Sequence, residues 1–334
     1  MTVCDELAQA YSTIAKVDAF AYASMNTSIG KLSPDPDWLG PVRNELKLLS
    51  NAGAGWQQKK PDIWAPLLSQ FNTYHALFSS YAEMASQMGD NKDAWLEALG
   101  QLRTSLANAE IASKAAEGQF VLQINNLNNV RQVFDSSLNQ AWKSLADEEQ
   151  EMIALASEVT ALQDKVNSLQ EKINSTEISS GQSYIQSSVS ISYTLVTTAG
   201  AEVPYLAIVG LVFTVGKLAY DLIVTDEEIT ETIGKIVELR NKASQEAQAA
   251  AMSKGIIQLI DNFDKSLLAV QRRLPALGTM WANEKAKVDG AITALNSGAQ
   301  PTQYLELLSM ASAAATWKKL ADFATQITQK SEQG

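Results

Sequence analysis

Few side chains in this sequence are equipped for bond-making chemistry. The single histidine, His75 in FNTYHALF, is the one ordinary side chain that titrates near neutrality and would serve as a proton-triggered switch or general base. The single cysteine, Cys4, would be the thiol nucleophile. Two carboxylate runs, DEEQE (147–151) and DEEITE (226–231), have the density of a cation cluster. Each has a plainer reading. His75 sits on an aromatic helix face, where a packed imidazole is expected. Cys4 has no histidine nearby in sequence to activate it, and reads as an incidental thiol. The carboxylates suit solvated helix faces and, at 226–231, a helix N-terminus. One Cys rules out a disulfide framework or a Cys-built zinc site, one His rules out most His-based metal and triad chemistry, and no Gly-rich phosphate loop is present. The expectation is a non-enzyme with no catalytic residues, cofactor or metal. With 26 Lys+Arg against 37 Asp+Glu and a net charge of −11, nucleic acid is not an expected partner.

What remains is the chemistry of solvation, concentrated in one segment. Ile178 to Ala201 is 24 residues without a charge, ten of them Ser or Thr. Within it Val189, Ile191, Tyr193 and Leu195 alternate with Ser188, Ser190, Ser192 and Thr194, the period-2 pattern of an amphipathic strand. After AGAEVP the chain turns into YLAIVGLVFTVGKLAYDLIV. Val203 to Gly216 is 14 uncharged residues, and Lys217 and Asp221 are the charges that follow before Val224. Val203–Val224 reaches the length of a spanning helix but carries two blemishes, which at i,i+4 can neutralise each other. Gly210 with Thr214 forms a small-xxx-small pair suited to helix approach. The candidate membrane-inserting residues are Val189, Ile191, Tyr193, Leu195 and Val196 on the first arm. On the second they are Val203, Tyr205, Leu206, Ile208, Val209, Leu211, Val212, Phe213, Val215 and Leu218. Gly181, Gly200, Pro204, Gly210 and Gly216 are candidate hinge or turn positions. A buried core hairpin or an oligomer contact is the bland alternative. A permanent anchor is disfavoured because the first arm is too polar to lie in hydrocarbon by itself.

Long helices must position this segment. The eight prolines fall at 34, 36, 41, 61, 66, 204, 275 and 301, leaving two long proline-free stretches. From Phe120 an apolar seam in steps of 4 and 3 runs through Leu145 to Ile173, interrupted by Arg131 and Glu148. That is a sustained heptad repeat. It predicts one helix over Asp93–Ser175, roughly 120 Å long at 1.5 Å per residue, capped near Asn91. A second helix is expected over Thr225–Leu274, opened by a Thr225/Glu228 capping box, with a stammer near Ser253 that shifts the seam without ending the helix. Shorter helices read over Thr2–Ser28, Asp62–Met88, Ala276–Asn296 (after a turn at Pro275) and Pro301–Lys330. Of the seven tryptophans, Trp38, Trp56 and Trp64 are weighed as membrane or partner contacts, with core packing as the default. The fold class is therefore all-α. It is an elongated bundle of about five long helices (the tail, 1–176 and 225–334) with a small head (177–224) carrying a hydrophobic β-tongue or helical hairpin.

Long heptad helix, uncharged hairpin, second long heptad helix: this order resembles the cytolysin A superfamily of α-pore-forming toxins, which includes the tripartite haemolysin BL and non-haemolytic enterotoxin components. The resemblance implies a soluble form that hides its apolar hairpin, here Ser187–Val224, against the bundle. It implies release of the hairpin into a target-cell membrane, with lipid as one partner. It further implies a homo-oligomer, or a hetero-oligomer with related toxin components, that forms the pore. The opening MTVCDELAQAY carries an acidic pair where a secretory signal would be basic, so secretion without a cleavable leader is expected, followed by insertion in a host or target membrane. Two other readings compete: a type III secretion translocator-like protein, and a non-lytic coiled-coil structural or interaction protein.

Overall fold

The computed structural model describes residues 3–145, 150–179, 189–196, 205–213, 223, 225–301 and 310–331. Along the chain run α1 (Val3–Asn26), β1 (Ser28–Ile29), α2 (Leu39–Met88), α3 (Lys92–Leu145), α4 (Gln150–Ser179), β2 (Val189–Val196), β3 (Tyr205–Phe213), α5 (Glu227–Arg240), α6 (Gln245–Asn296) and α7 (Met310–Ser331). The fold is helical with one small sheet, as the periodicities imply. Among the described residues no helix is long and apolar enough to cross a membrane.

The heptad seam is buried where it is described: Phe120 and Ile124 on α3, then Met152, Leu155, Val159, Leu162 and Val166 on α4. Residues 146–149, between α3 and α4, lie outside the described residues. The cap expected at Asn91 is present, its Oδ1 accepting from the Ala94 amide at 3.1 Å. Gly89, at φ +48°, supplies the left-handed turn that separates α2 from α3.

Several helix boundaries differ from the sequence reading. Helix breaks were expected at Pro61 and Pro275, yet α2 runs through Pro61 as well as Pro66, and α6 runs through Pro275. A mid-helix proline costs about 3 kcal/mol, whereas burying one large apolar side chain returns about 1.5–3. Trp64, Leu67, Leu68 and Phe71 follow the α2 prolines and are all buried, so continuing the helix wins. Leu274, Leu277 and Trp281 do the same around Pro275. Pro41, near the start of α2, needs no compensation because amides there have no intrahelical partner.

The second helix is divided at residues 241–244, not merely shifted in register at Ser253. The Ser244 hydroxyl accepts from the Ala247 amide at 3.1 Å and caps α6. Gln248 donates its side-chain amide to the carbonyls of Arg240 (3.0 Å) and Ala243 (3.2 Å), answering the open end of α5. Beyond the break Ala249, Ala250, Ala251 and Met252 are all fully buried, so this turn of α6 is enclosed on every side. Small side chains permit that approach. The start of α5 also differs by one residue: Asp226, not Thr225, is the cap, accepting from Ile229 at 3.1 Å.

The chain forms two compact units, 1–10 with 59–121 and 271–334, and 11–58 with 122–270. In the first, aromatic rings from three helices make the core. Trp281 stacks on Trp317 at 5.4 Å between centroids, Tyr74 meets Trp317 at 4.4 Å, and Phe71 meets Trp281 at 4.7 Å. In the second, Phe20 of α1 stacks on Phe263 of α6 at 4.1 Å. There α1 and α2 touch at Gly53, where a Cβ would stand 2.8 Å from the Ala21 carbonyl oxygen. Backbone cannot yield as a flexible side chain would. Gly53→Ala is expected to lower stability by about 1–3 kcal/mol in urea unfolding, despite alanine's better helix propensity. An unchanged or raised midpoint would show that the two helices separate without cost.

Candidate functional site

Where it is described, at 189–196 and 205–213, the uncharged segment is an antiparallel ribbon. β2 and β3 pair Val189↔Phe213, Ile191↔Leu211 and Ser192↔Gly210, then Tyr193↔Ile208, Leu195↔Leu206 and Val196↔Tyr205. The alternation in β2 is the expected strand pattern. Of the β-tongue and the helical hairpin left open for the head, the described part of the second arm, Tyr205–Phe213, is a strand. Tyr205, Ile208, Val212 and Phe213 are residues that fit a pleated surface, and pairing along β2 satisfies one edge of that strand.

Between Ser192 and Tyr193 the ladder skips one residue of β3, Val209, as a β-bulge. Side-chain direction alternates along a strand, so an unbroken register would align positions 205, 207 and 209 with 211 and 213. The bulge aligns 206 and 208 instead. One face of the ribbon therefore carries Val189, Ile191, Tyr193, Leu195, Leu206, Ile208, Leu211 and Phe213. The opposite face carries Ser190, Ser192, Thr194, Val196, Tyr205, Ala207, Gly210 and Val212. The polar character of the second face comes from Ser190, Ser192 and Thr194 of β2, and the bulge decides which residues of β3 share each face. Of the sequence-derived candidates, Val203, Val215, Leu218, Gly181, Gly200, Pro204 and Gly216 lie outside the described residues, and Gly210 lies inside β3 beside the bulge.

Sequence reasoning missed the third strand. The two residues of β1 pair in parallel with β2, Ser28↔Thr194 and Ile29↔Leu195, in the order β1-β2-β3. The sequence reading had carried α1 through Ser28; the helix ends at Asn26. Asn26 and Thr27 explain the stop. Their side chains donate to the carbonyls of Tyr22 and Ala23, both at 2.8 Å, closing the last turn. A two-residue strand has no period to detect, so the available signal was only this polar pair ahead of SIGKLSPDPD.

The chain after β1 is organised by Arg43 of α2. Its Nε donates to the carbonyls of Ile29 (3.0 Å) and Gly30 (3.2 Å), and Nη2 also reaches Gly30. Nη1 and Nη2 grip the two carboxylate oxygens of Asp35, the latter at 2.7 Å. Asp35 also accepts from the Leu32 amide at 2.8 Å. The guanidinium holds the Asp35 carboxyl well below its usual range, at about 2 against 3.8. The loop's far side meets the start of α6, where the Ser33 amide donates to Gln245 at 3.3 Å and the Trp38 indole to Glu246 at 3.2 Å.

Outside the ribbon the other candidates take ordinary places. His75 is half-buried on α2 with Nδ1 3.1 Å from the Ser79 hydroxyl. Glu227 and Glu228 occupy the first turn of α5. Trp56 and Trp64 are buried, and Trp38 is half-buried.

Comparison with known proteins supplies the remaining observation. No protein-family model and no curated sequence matches the chain. Solved structures do. Motility Associated Killing Factor B from Vibrio cholerae is similar at 29% identity and a TM-score of 0.78, over 96% of this chain and 90% of that one. Soluble SmhA of the tripartite α-pore-forming toxin from Serratia marcescens superposes at a TM-score of 0.74 with 12% identity, over 100% and 95%. The HblL1 toxin component of Bacillus cereus does so at 0.71 with 14% identity, over 98% and 96%.

The Asp35 clamp gives a pH signature. A carboxyl whose folded value is depressed adds stability above its unfolded value and loses that contribution as pH falls through the folded one. The margin in Tm between the wild type and Asp35→Asn should be constant above about pH 5 and shrink from there toward pH 2. A margin that persists at the acid end would exclude the carboxylate as its source.

Proposed function

We propose that this chain, which has the fold of the cytolysin A-like α-pore-forming toxins, is a pore-forming toxin component whose β2–β3 ribbon is its membrane-inserting element. The observation that carries this is the ribbon's two-faced register. The first arm alternates Ser/Thr with apolar residues and the second is apolar, so pairing them lays out one fully apolar face and one mixed face, and the bulge at Val209 sets which residues of β3 join each. An element that must sit first against protein and then between lipid and water needs that division. The β2–β3 ribbon acts as the part that departs, and α4 and α5, which flank it in sequence, as its support.

Insertion is a population shift. Docking must hold the ribbon in the soluble form, and burial in lipid must exceed the docking free energy. Because a two-stranded ribbon exposes backbone at its edges, a single copy is a poor resident of hydrocarbon, and association with further copies or related components completes the pairing. That requirement supports oligomerisation in the membrane. SmhA's place in a tripartite toxin supports related components as the partners. The proposed route is export followed by action at a target-cell membrane. The net charge of −11 offers little long-range pull toward anionic lipid, so recognition rests on short-range contacts. The translocator-like reading is not favoured, since the similarity to the toxin components runs over nearly the whole chain.

The register names the decisive cross-link. Val189 and Phe213 are partners within the ribbon, so a disulfide there ties the two arms together and leaves the ribbon free to depart. Ser28 and Thr194 are partners between β1 and the ribbon. Neighbouring strands stand about 4.8 Å apart, within the Cα range a disulfide bridges. In a Cys4→Ser background, cysteines at 28 and 194 should abolish dye release from liposomes when oxidised and restore it on reduction. Release unaffected by a verified cross-link would refute ribbon departure.

A further inference from the structure

We propose that Arg43 is the latch of the ribbon: by fixing β1 it builds the edge on which β2 docks, so it sets how readily the ribbon leaves. This rests on the ribbon being the inserting element. The reasoning starts from β1 itself. Two residues are too few for a strand to hold its own position, and β1 contributes the sheet's third strand only if something outside the sheet orders it. On its N-terminal side the order comes from Thr27, whose hydroxyl is tied to the Ala23 carbonyl of α1. On its C-terminal side it comes from one side chain. Arg43 takes the carbonyls of Ile29 and Gly30, the strand's last residue and the one after it, and anchors them to Asp35 across the loop.

Only a guanidinium has the geometry for this. Its rigid fork places one edge on two successive carbonyls and the other on both oxygens of a carboxylate, while an ammonium is a point donor that cannot span the four acceptors. The same loop rests on Gln245 and Glu246, the first residues of α6 beyond the 241–244 break. The latch is thus placed where the docking strand, the supporting helix α2 and the divided helix pair meet. Ile29 and Leu32, on either side of Gly30, are buried, so apolar packing and the arginine's polar contacts are separate restraints on this stretch.

The test is hydrogen–deuterium exchange of the full chain in solution, without lipid. Arg43→Gln should raise amide exchange of residues 189–196 at least tenfold, leaving residues 152–166 of α4 unchanged. Arg43→Lys should fall between, and Asp35→Asn should raise exchange by a few-fold, with the double variant Arg43→Gln/Asp35→Asn no looser than Arg43→Gln alone. Closing the 28–194 disulfide in the Arg43→Gln protein should restore protection, because the variant's effect passes through β1. Unchanged exchange at 189–196 overturns the proposal, and so does a rise spread equally over α4 that the disulfide does not reverse. If Arg43→Gln fails to fold, Asp35→Asn, altered on the exposed side of the loop, decides by the same readout. Because no membrane is present, loss of the latch effect and loss of pore activity are separable results.

Discussion

A two-stranded ribbon cannot keep itself in place, and the rest of this molecule is arranged around that fact. An isolated hairpin in water is marginal, since its backbone pairing is matched by water and it has little surface to bury against. The β2–β3 ribbon rests on α4 and on a third strand of two residues, which is itself ordered by a capped helix end and an arginine. Each support is small. The docked state is therefore secured by several modest interactions that can be lost together, unlike a strand embedded in a large sheet.

The helical parts answer a different demand. Their cores are dense, with stacked indoles in one unit and an enclosed alanine-rich turn in the other. Burial on this scale tolerates three prolines inside long helices and a break at 241–244 whose open carbonyls are met by Gln248. The contrast between well-buried helices and a sheet closed by two residues suits the proposed insertion, in which the part that moves must be the less stable part.

Much of this was legible in the residue pattern. The heptads located the long helices because a seam repeated over many turns outweighs any local ambiguity, and the Ser/Thr alternation named β2 correctly. The second arm was harder. A continuous apolar run such as YLAIVGLVF fits a buried strand or a helix equally well by periodicity, and only its partner resolves the choice. The bulge at Val209 depends on pairing and has no signature in one strand alone. Prolines misled because their cost is local and fixed, while the burial that overrides it comes from helices distant in sequence. β1 and Arg43 were invisible for a similar reason: a latch of two residues and one side chain is defined by what it meets.

The central claim is that the apolar face of the ribbon exchanges protein for lipid while the mixed face exchanges it for water. It is tested most directly by environment-sensitive fluorophores placed singly at positions 211 and 192, in the Cys4→Ser background, on vesicles made leaky by the protein alone or with companion components. The account predicts that the probe at 211 shifts to the blue and is quenched by nitroxides at the bilayer centre, while the probe at 192 remains open to aqueous iodide. Both probes keeping their solution spectra on leaking vesicles would contradict it.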